Sequence, residues 1–258
     1  MKKTAGLFLL WVFLMLSASV DAQRWKLRRY EASLGIAGTN FFSDVGKSID
    51  DQSFINNFKT VQLQTTRPGL TFGLRYKITG DMAAKFNLAY GFLHGMDGGN
   101  LDIRDYVIST TIIEPSLQFE YYLLPESRAR FSTALFNRRG MINNYSRVYI
   151  YLFGGAGGTY YNAKAKKKIE VDPRFTAGSG FAPVLPAGIG LKFSIDAVWS
   201  IGLEYGRRFT FTDNLDGIST QFSENNDIYD FAVFKAIYKV RTDRRGRPML
   251  RFGYGYRR

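Results

Sequence analysis

The 258-residue chain contains no cysteine and a single histidine, His94. Without thiols there is no disulfide scaffold, zinc–thiolate centre, cysteine nucleophile or lipid-modified cysteine anchor. Acids are scarce beside bases, 22 against 35, and the formal net charge is +13. Long apolar runs are absent after residue 23, and a mean hydropathy of −0.17 is too polar for a bundle of membrane helices. A hydrophobic share of 45% is nevertheless too high for a disordered chain. What the chain has in quantity is Tyr (16), Phe (22) and Gly (26).

The N-terminus differs from the rest. Lys2 and Lys3 precede an uncharged apolar run from Ala5 to Leu16, followed by small residues with Val20 and Ala22 at the −3 and −1 positions of a cut before Gln23. The run of ~12 residues is short of the roughly 20 that span a bilayer as a helix and matches a secretory signal. The expected organisation is a signal peptide over 1–22, a folded body over 23–240 and a basic tail over 241–258. Export excludes nucleic acid as a partner despite the charge.

Through the body, apolar and small or charged residues alternate with period two. Leu70, Phe72, Leu74, Tyr76 and Ile78 alternate with Thr71, Gly73, Arg75 and Lys77. Ile113, Leu117, Phe119, Tyr121 and Leu123 oppose Glu114, Ser116, Gln118 and Glu120; Leu185 to Ile195 and Trp199 to Tyr205 repeat the pattern. So do 30–38 and 85–92, whereas 148–160 and 228–238 are strand-like with no clear face. A soluble β-sandwich also alternates. Here the apolar face is heavily aromatic, and the other carries Arg75, Lys85, Glu114, Glu120, Lys192, Glu204 and Arg208, charges that a sandwich core does not bury unpaired. Short connections at Thr79–Met82 and Ile195–Val198 alternate with long ones at 41–69, 95–105, 161–183 and 212–227. The pattern predicts an all-β, antiparallel transmembrane β-barrel of eight strands, with the short turns periplasmic and the long loops extracellular. The 24-residue connection 124–147 fits this scheme poorly. If Phe131–Phe136 pairs with Thr60–Thr66, the barrel has ten strands.

Several segments, in order along the chain, resemble the Bacteroidota outer-membrane barrels grouped as DUF6089, which include PorG-like proteins. They are 30–44, 66–76, 114–125, 151–158 and, most specifically, Leu-Glu-Tyr-Gly-Arg-Arg-Phe-Thr-Phe-Thr-Asp-Asn-Leu-Asp-Gly-Ile-Ser at 203–219. The resemblance covers roughly 30–240. It implies a cell outer-membrane location in a Gram-negative, Bacteroidota-like cell, no catalytic residue and a link to the type IX secretion system and its periplasmic ring. The Arg-rich 124–147 connection and the tail depart from the family pattern.

Candidate sites are few. His94 with Ser109 or Ser116 is the only combination suited to a lipid-modifying enzyme, and no motif surrounds either serine. The inward charges Arg75, Lys85, Glu114, Glu120, Lys192, Glu204 and Arg208 line either a small pore or an interlocked plug, with the acids pairing to the bases; eight strands favour the plug. Asp213, Asn214, Asp216 and Gly217 offer oxygen ligands without the spacing of a calcium loop. Lys164, Lys166, Lys167 and Lys168 form an outer-loop cluster suited to lipopolysaccharide phosphates. Arg128, Arg130, Arg138 and Arg139, with Arg244, Arg245, Arg247 and Arg251 of the tail, would present a positive periplasmic surface to an acidic protein. The reading is a non-enzymatic barrel without cofactor or metal that anchors or scaffolds a periplasmic assembly, with type IX secretion the first candidate. A small transport pore and a lipid-modifying enzyme are the alternatives.

Overall fold

The computed structural model describes residues 27–42, 66–96, 107–124, 148–166, 178–196, 198–212, 215, 227–243 and 247–249. Each alternating segment forms a strand: β1 (Tyr30–Phe42), β2 (Arg67–Lys77), β3 (Met82–Met96), β4 (Val107–Tyr122), β5 (Val148–Lys166), β6 (Gly178–Ser194), β7 (Trp199–Thr210) and β8 (Ile228–Val240). Every strand pairs antiparallel with its sequence neighbours, and β8 returns to pair with β1 from Tyr30↔Val240 to Phe42↔Ile228. The barrel is therefore closed at eight strands. Closure leaves no edge for a further pair, so the ten-stranded arrangement is excluded, although 60–65 and 131–136 themselves lie outside the described residues.

The two faces of each strand meet different surroundings. Leu117 is 68% exposed, whereas its chain neighbours Ser116 and Gln118 are each 3% exposed. The same inversion of a water-soluble protein runs round the barrel: Leu34, Ile36, Leu70, Leu74, Phe119, Leu152, Leu191, Leu203 and Phe234 all point outward. An apolar surface of this extent is stable only against lipid. Aromatic rings border it at both ends. Tyr30 packs on Tyr76 and Trp199 on Tyr238, each with centroids 5.1 Å apart, at the short-turn end; Tyr90 and Phe92, 5.3 Å apart, lie toward the other. These are the interfacial girdles of a membrane barrel.

Two short turns connect strands at one end. The β2–β3 turn is closed by the Ile78 and Thr79 N–H groups donating to the Met82 carbonyl at 2.9 and 3.1 Å, and the Thr79 hydroxyl donates to Asp81 at 2.7 Å. In the β6–β7 turn, the Asp196 carboxylate accepts the Trp199 and Val198 N–H groups at 2.6 Å each. Those two donors hold the Asp196 carboxyl below the usual carboxylate range.

The strands without a clear face resolve for a physical reason. On β5 the lumen face itself is aromatic, with Tyr149, Tyr151, Phe153 and Tyr161 buried. Tyr151 stands opposite Gly190, Phe153 opposite Gly188 and Tyr161 opposite Gly180 on β6, where an added methyl would overlap the facing ring. Glycine on one strand makes room for a ring from the next. On β8, Phe231, Val233 and Ile237 face inward while Asp230 faces outward, which blurs the alternation.

Beyond β8 the described residues of the tail continue the pairing. Thr242 forms a bridge with Pro248, flanked by the Met249 N–H donating to Arg241 O at 2.8 Å and the Asp243 N–H to Arg247 O at 2.9 Å. Proline is tolerated because it occupies the bridge position that needs no N–H. The Thr242 N–H donates to Leu27 O at 2.8 Å, fastening this fold-back to the segment preceding β1.

Candidate functional site

The lumen holds the densest chemistry in the described residues. Glu31, at the short-turn end of β1, accepts from Arg75 at 2.7 Å and Lys192 at 2.6 Å, and pairs with Lys77 at 2.8 Å. The Arg75 guanidinium reaches on to Glu120, with Nη2 donating at 2.8 Å. One level higher, Glu204 is held by Lys85 at 2.8 Å and by Lys235, and the Tyr151 hydroxyl donates to it at 3.3 Å. Arg75 and Lys235 also lie over the Tyr151 ring, 5.4 and 5.7 Å from its centroid. Higher still, Glu114 accepts from the Tyr229 hydroxyl at 2.8 Å, with Arg208 Nε 3.6 Å away. All of these side chains are more than nine-tenths buried.

Five of the sequence-derived charges thus fall into one continuous cluster: Arg75, Lys85, Glu120, Lys192 and Glu204. Glu114 and Arg208 form a separate pair nearer the long-loop end. The expected pairing needs one correction. Lys192 sits at the level of Glu31, a carboxylate that was not among the expected partners and lies across the lumen. Sequence reasoning left Glu31, Lys77, Lys235 and Lys239 out of the network. The first two had the right parity but stood at strand termini, and Lys235 and Lys239 lie on β8, whose face was ambiguous. Cations outnumber carboxylates in the described lumen, and Lys239 ends on the Ser194 hydroxyl at 2.8 Å.

Above the charges the lumen becomes apolar. Phe41, Leu93, Ile112, Tyr161, Tyr229 and Phe231 form one buried cluster with Leu215. Leu215 comes from the β7–β8 connection and is fully buried in the barrel mouth. Its carbonyl accepts the Thr110 hydroxyl at 2.7 Å, and its N–H donates to Asp227 at 2.9 Å. A loop residue therefore closes the long-loop end as a stopper. Eight strands leave an interior about wide enough for side chains to fill, and here they fill it with ions below and rings above.

The remaining candidates are dispersed. His94 stands in register with Ser109 on the outer wall, while Ser116 points into the lumen and cannot meet it. Beyond Ser109 the register continues to Lys164, so among the described residues this row places no carboxylate in register with Ser109. Lys164 is exposed at the long-loop end of β5, where Lys166 is the last strand residue; Lys167 and Lys168 lie outside the described residues. So do Asp213, Asn214, Asp216 and Gly217, and no group of metal-ligating side chains occurs among the described residues. Arg128, Arg130, Arg138, Arg139, Arg244, Arg245 and Arg251 are likewise outside them, and Arg247 is in the fold-back after β8.

No family model and no curated protein matches the chain. Solved structures do. Ail, the attachment invasion locus protein of Yersinia pestis, is 14% identical over 82% of this chain and 97% of its own, with a TM-score of 0.42. OprG from Pseudomonas aeruginosa is 14% identical over 83% and 97%, with a TM-score of 0.43. Neisserial surface protein A is 12% identical over 81% and 96%, with a TM-score of 0.42. The closed eight-stranded barrel itself rests on the strand pairing and on the apolar outer wall.

Proposed function

We propose that the protein is a non-enzymatic barrel of the bacterial outer membrane that anchors or scaffolds a periplasmic assembly. The observation that supports this reading most is the division of the molecule. Its lumen is occupied by interlocked ion pairs and a loop stopper, a body suited to holding position rather than to passing solutes. Function then falls to the two ends. At the short-turn end the chain concentrates arginine: Arg28, Arg29 and Arg241 precede or follow the strands, Arg247 lies in the fold-back after β8, and Arg244 and Arg245 stand close to it in sequence. Guanidinium groups pair bidentately with carboxylates, so an acidic periplasmic protein is the partner this surface suits.

The resemblance to PorG-like barrels makes the periplasmic ring of type IX secretion the first assembly to test. In this account the barrel fixes position in the bilayer and the arginines hold the partner. Replacing Arg244, Arg245 and Arg247 together with Glu releases the partner in a pull-down and leaves the barrel folded. A partner retained at wild-type level overturns the docking surface.

A further inference from the structure

The short-turn end of the barrel carries more structure than closure requires. Past the last pair of β1 and β8, Tyr30↔Val240, three segments extend the wall: 27–29, 241–243 and 247–249. The Thr242 N–H donates to Leu27 O and the Met249 N–H to Arg241 O, each at 2.8 Å. The Arg241 carbonyl and the Thr242 N–H belong to one trans peptide and point in opposite directions. Leu27 and Met249 therefore flank the middle segment from its two sides, roughly 10 Å apart at the spacing of paired chains.

Both residues are apolar and open, Leu27 at 53% and Met249 at 42% exposure. They lie past the Tyr30–Tyr76 and Trp199–Tyr238 rings that mark the bilayer boundary, where lipid tails do not cover them. Within the same three segments Arg28, Arg29, Arg241 and Arg247 stand against a single acid, Asp243. Arg29 donates to the Tyr76 hydroxyl at 3.1 Å, and Arg241 and Arg247 are exposed. Arg28 differs from all of them. It is half-buried, and its Nη1 is shut off from water without a hydrogen-bond partner among the described residues. A guanidinium nitrogen that gives up water and gains nothing in return is costly, and an incoming carboxylate removes that cost. Strand addition is not the way in. In the Thr242↔Pro248 bridge the position of Pro248 faces the outer edge of the extension, and proline has no N–H to offer there.

We propose that this lip recognises the periplasmic partner through a segment in which a carboxylate stands beside a large apolar side chain. The carboxylate binds Arg28, the apolar group packs between Leu27 and Met249, and further acids run along Arg241 and Arg247. The inference rests on the docking role proposed above and adds what the partner must present and where it is read. Charge complementarity alone draws an acidic protein to any basic surface; the apolar centre inside a rim of arginine is what makes the contact selective.

The test is photocrosslinking in intact cells, with p-benzoylphenylalanine in place of Leu27, Met249 or Arg244 of the full chain. Folding is checked by the heat-dependent shift in gel mobility, and the crosslinked peptides are sequenced by mass spectrometry. Positions 27 and 249 capture a periplasmic protein through a peptide that carries Asp or Glu next to a large apolar residue. Arg28→Gln lowers the yield at position 249 by about tenfold. Arg28→Lys, which keeps the charge and loses the planar fork, lowers it less. Capture at position 244 with none at 27 and 249, or an unchanged yield at 249 in the folded Arg28→Gln barrel, overturns the lip site and leaves the docking role standing. A captured peptide without an acid overturns the assigned chemistry. No protein captured from any of the three positions overturns the docking role, and this site with it.

Discussion

Replacing Glu31 with Gln should damage the barrel more than any other single change to its ion pairs. The carboxylate accepts from or pairs with Arg75, Lys77 and Lys192 at 2.6–2.8 Å, and its side chain is 1% exposed. Glutamine keeps the shape but removes the charge, leaving Lys77 and Lys192 without their shared anion and Arg75 with Glu120 alone. Removing one partner of a buried pair typically costs about 3–5 kcal/mol, because the penalty is the uncompensated charge that stays behind. With a urea slope of roughly 2 kcal/mol/M, the unfolding midpoint falls by about 2 M. The assay is equilibrium urea unfolding in lipid bilayers, followed by fluorescence and by heat-dependent gel mobility. Adding Lys192→Met to Glu31→Gln should recover part of the loss, since it removes one of the buried cations that Glu31 had offset. A loss below about 1 kcal/mol, the range of exposed pairs, would refute the reasoning by showing that water reaches Glu31 and already screens it.

Three further outcomes follow from the geometry. Gly190→Ala places a methyl against the Tyr151 ring and should destabilise by about 1–3 kcal/mol in the same unfolding assay, whereas Gly178→Ala, with open space around it, should be near neutral. Leu215→Gly together with Thr110→Val removes the stopper and one of its ties; because the chain has no cysteine, Ile112→Cys can report directly, and its labelling by a polar maleimide added outside liposomes should rise by about tenfold or more if the mouth opens. The Asp196 carboxyl, held low by the Trp199 and Val198 N–H groups, should titrate below the ordinary aspartate value of about 3.9 in an NMR pH series. Because its folded-state pKa is depressed, its contribution to stability is present above that value and is lost as pH falls through the folded pKa. The stability difference between wild type and Asp196→Ala should therefore shrink in acid.

The strands that face lipid on one side and ions on the other were legible from alternation alone. Leu70 to Lys77 and Ile113 to Tyr121 read outward-apolar and inward-polar because the two surroundings differ so strongly. β5 was not, because the glycines of β6 let Tyr149, Tyr151 and Phe153 fill the lumen, so both of its faces look apolar. β8 failed for the converse reason, with Asp230 outside and Phe231 and Val233 inside. Parity located the inward charges, but not their heights. Lys192 meets Glu31 because the stagger of the strands sets which residues share a level. The stopper was invisible as well: Leu215 lies among Asp213, Asn214 and Asp216, a setting that reads as an ordinary polar loop. Arg207 and Arg208 are consecutive, and nothing in the sequence separates the arginine that pairs with Asp230 from the one that enters the lumen beside Glu114.

The central claim is that the barrel holds a periplasmic partner. Its most direct measurement is affinity capture after mild crosslinking in intact cells, through a tag in an outer loop that leaves the C-terminal segment free, with the captured proteins identified by mass spectrometry. The account predicts recovery of periplasmic ring or secretion components with the barrel. Recovery of the barrel alone, with crosslinking controls positive, would contradict it.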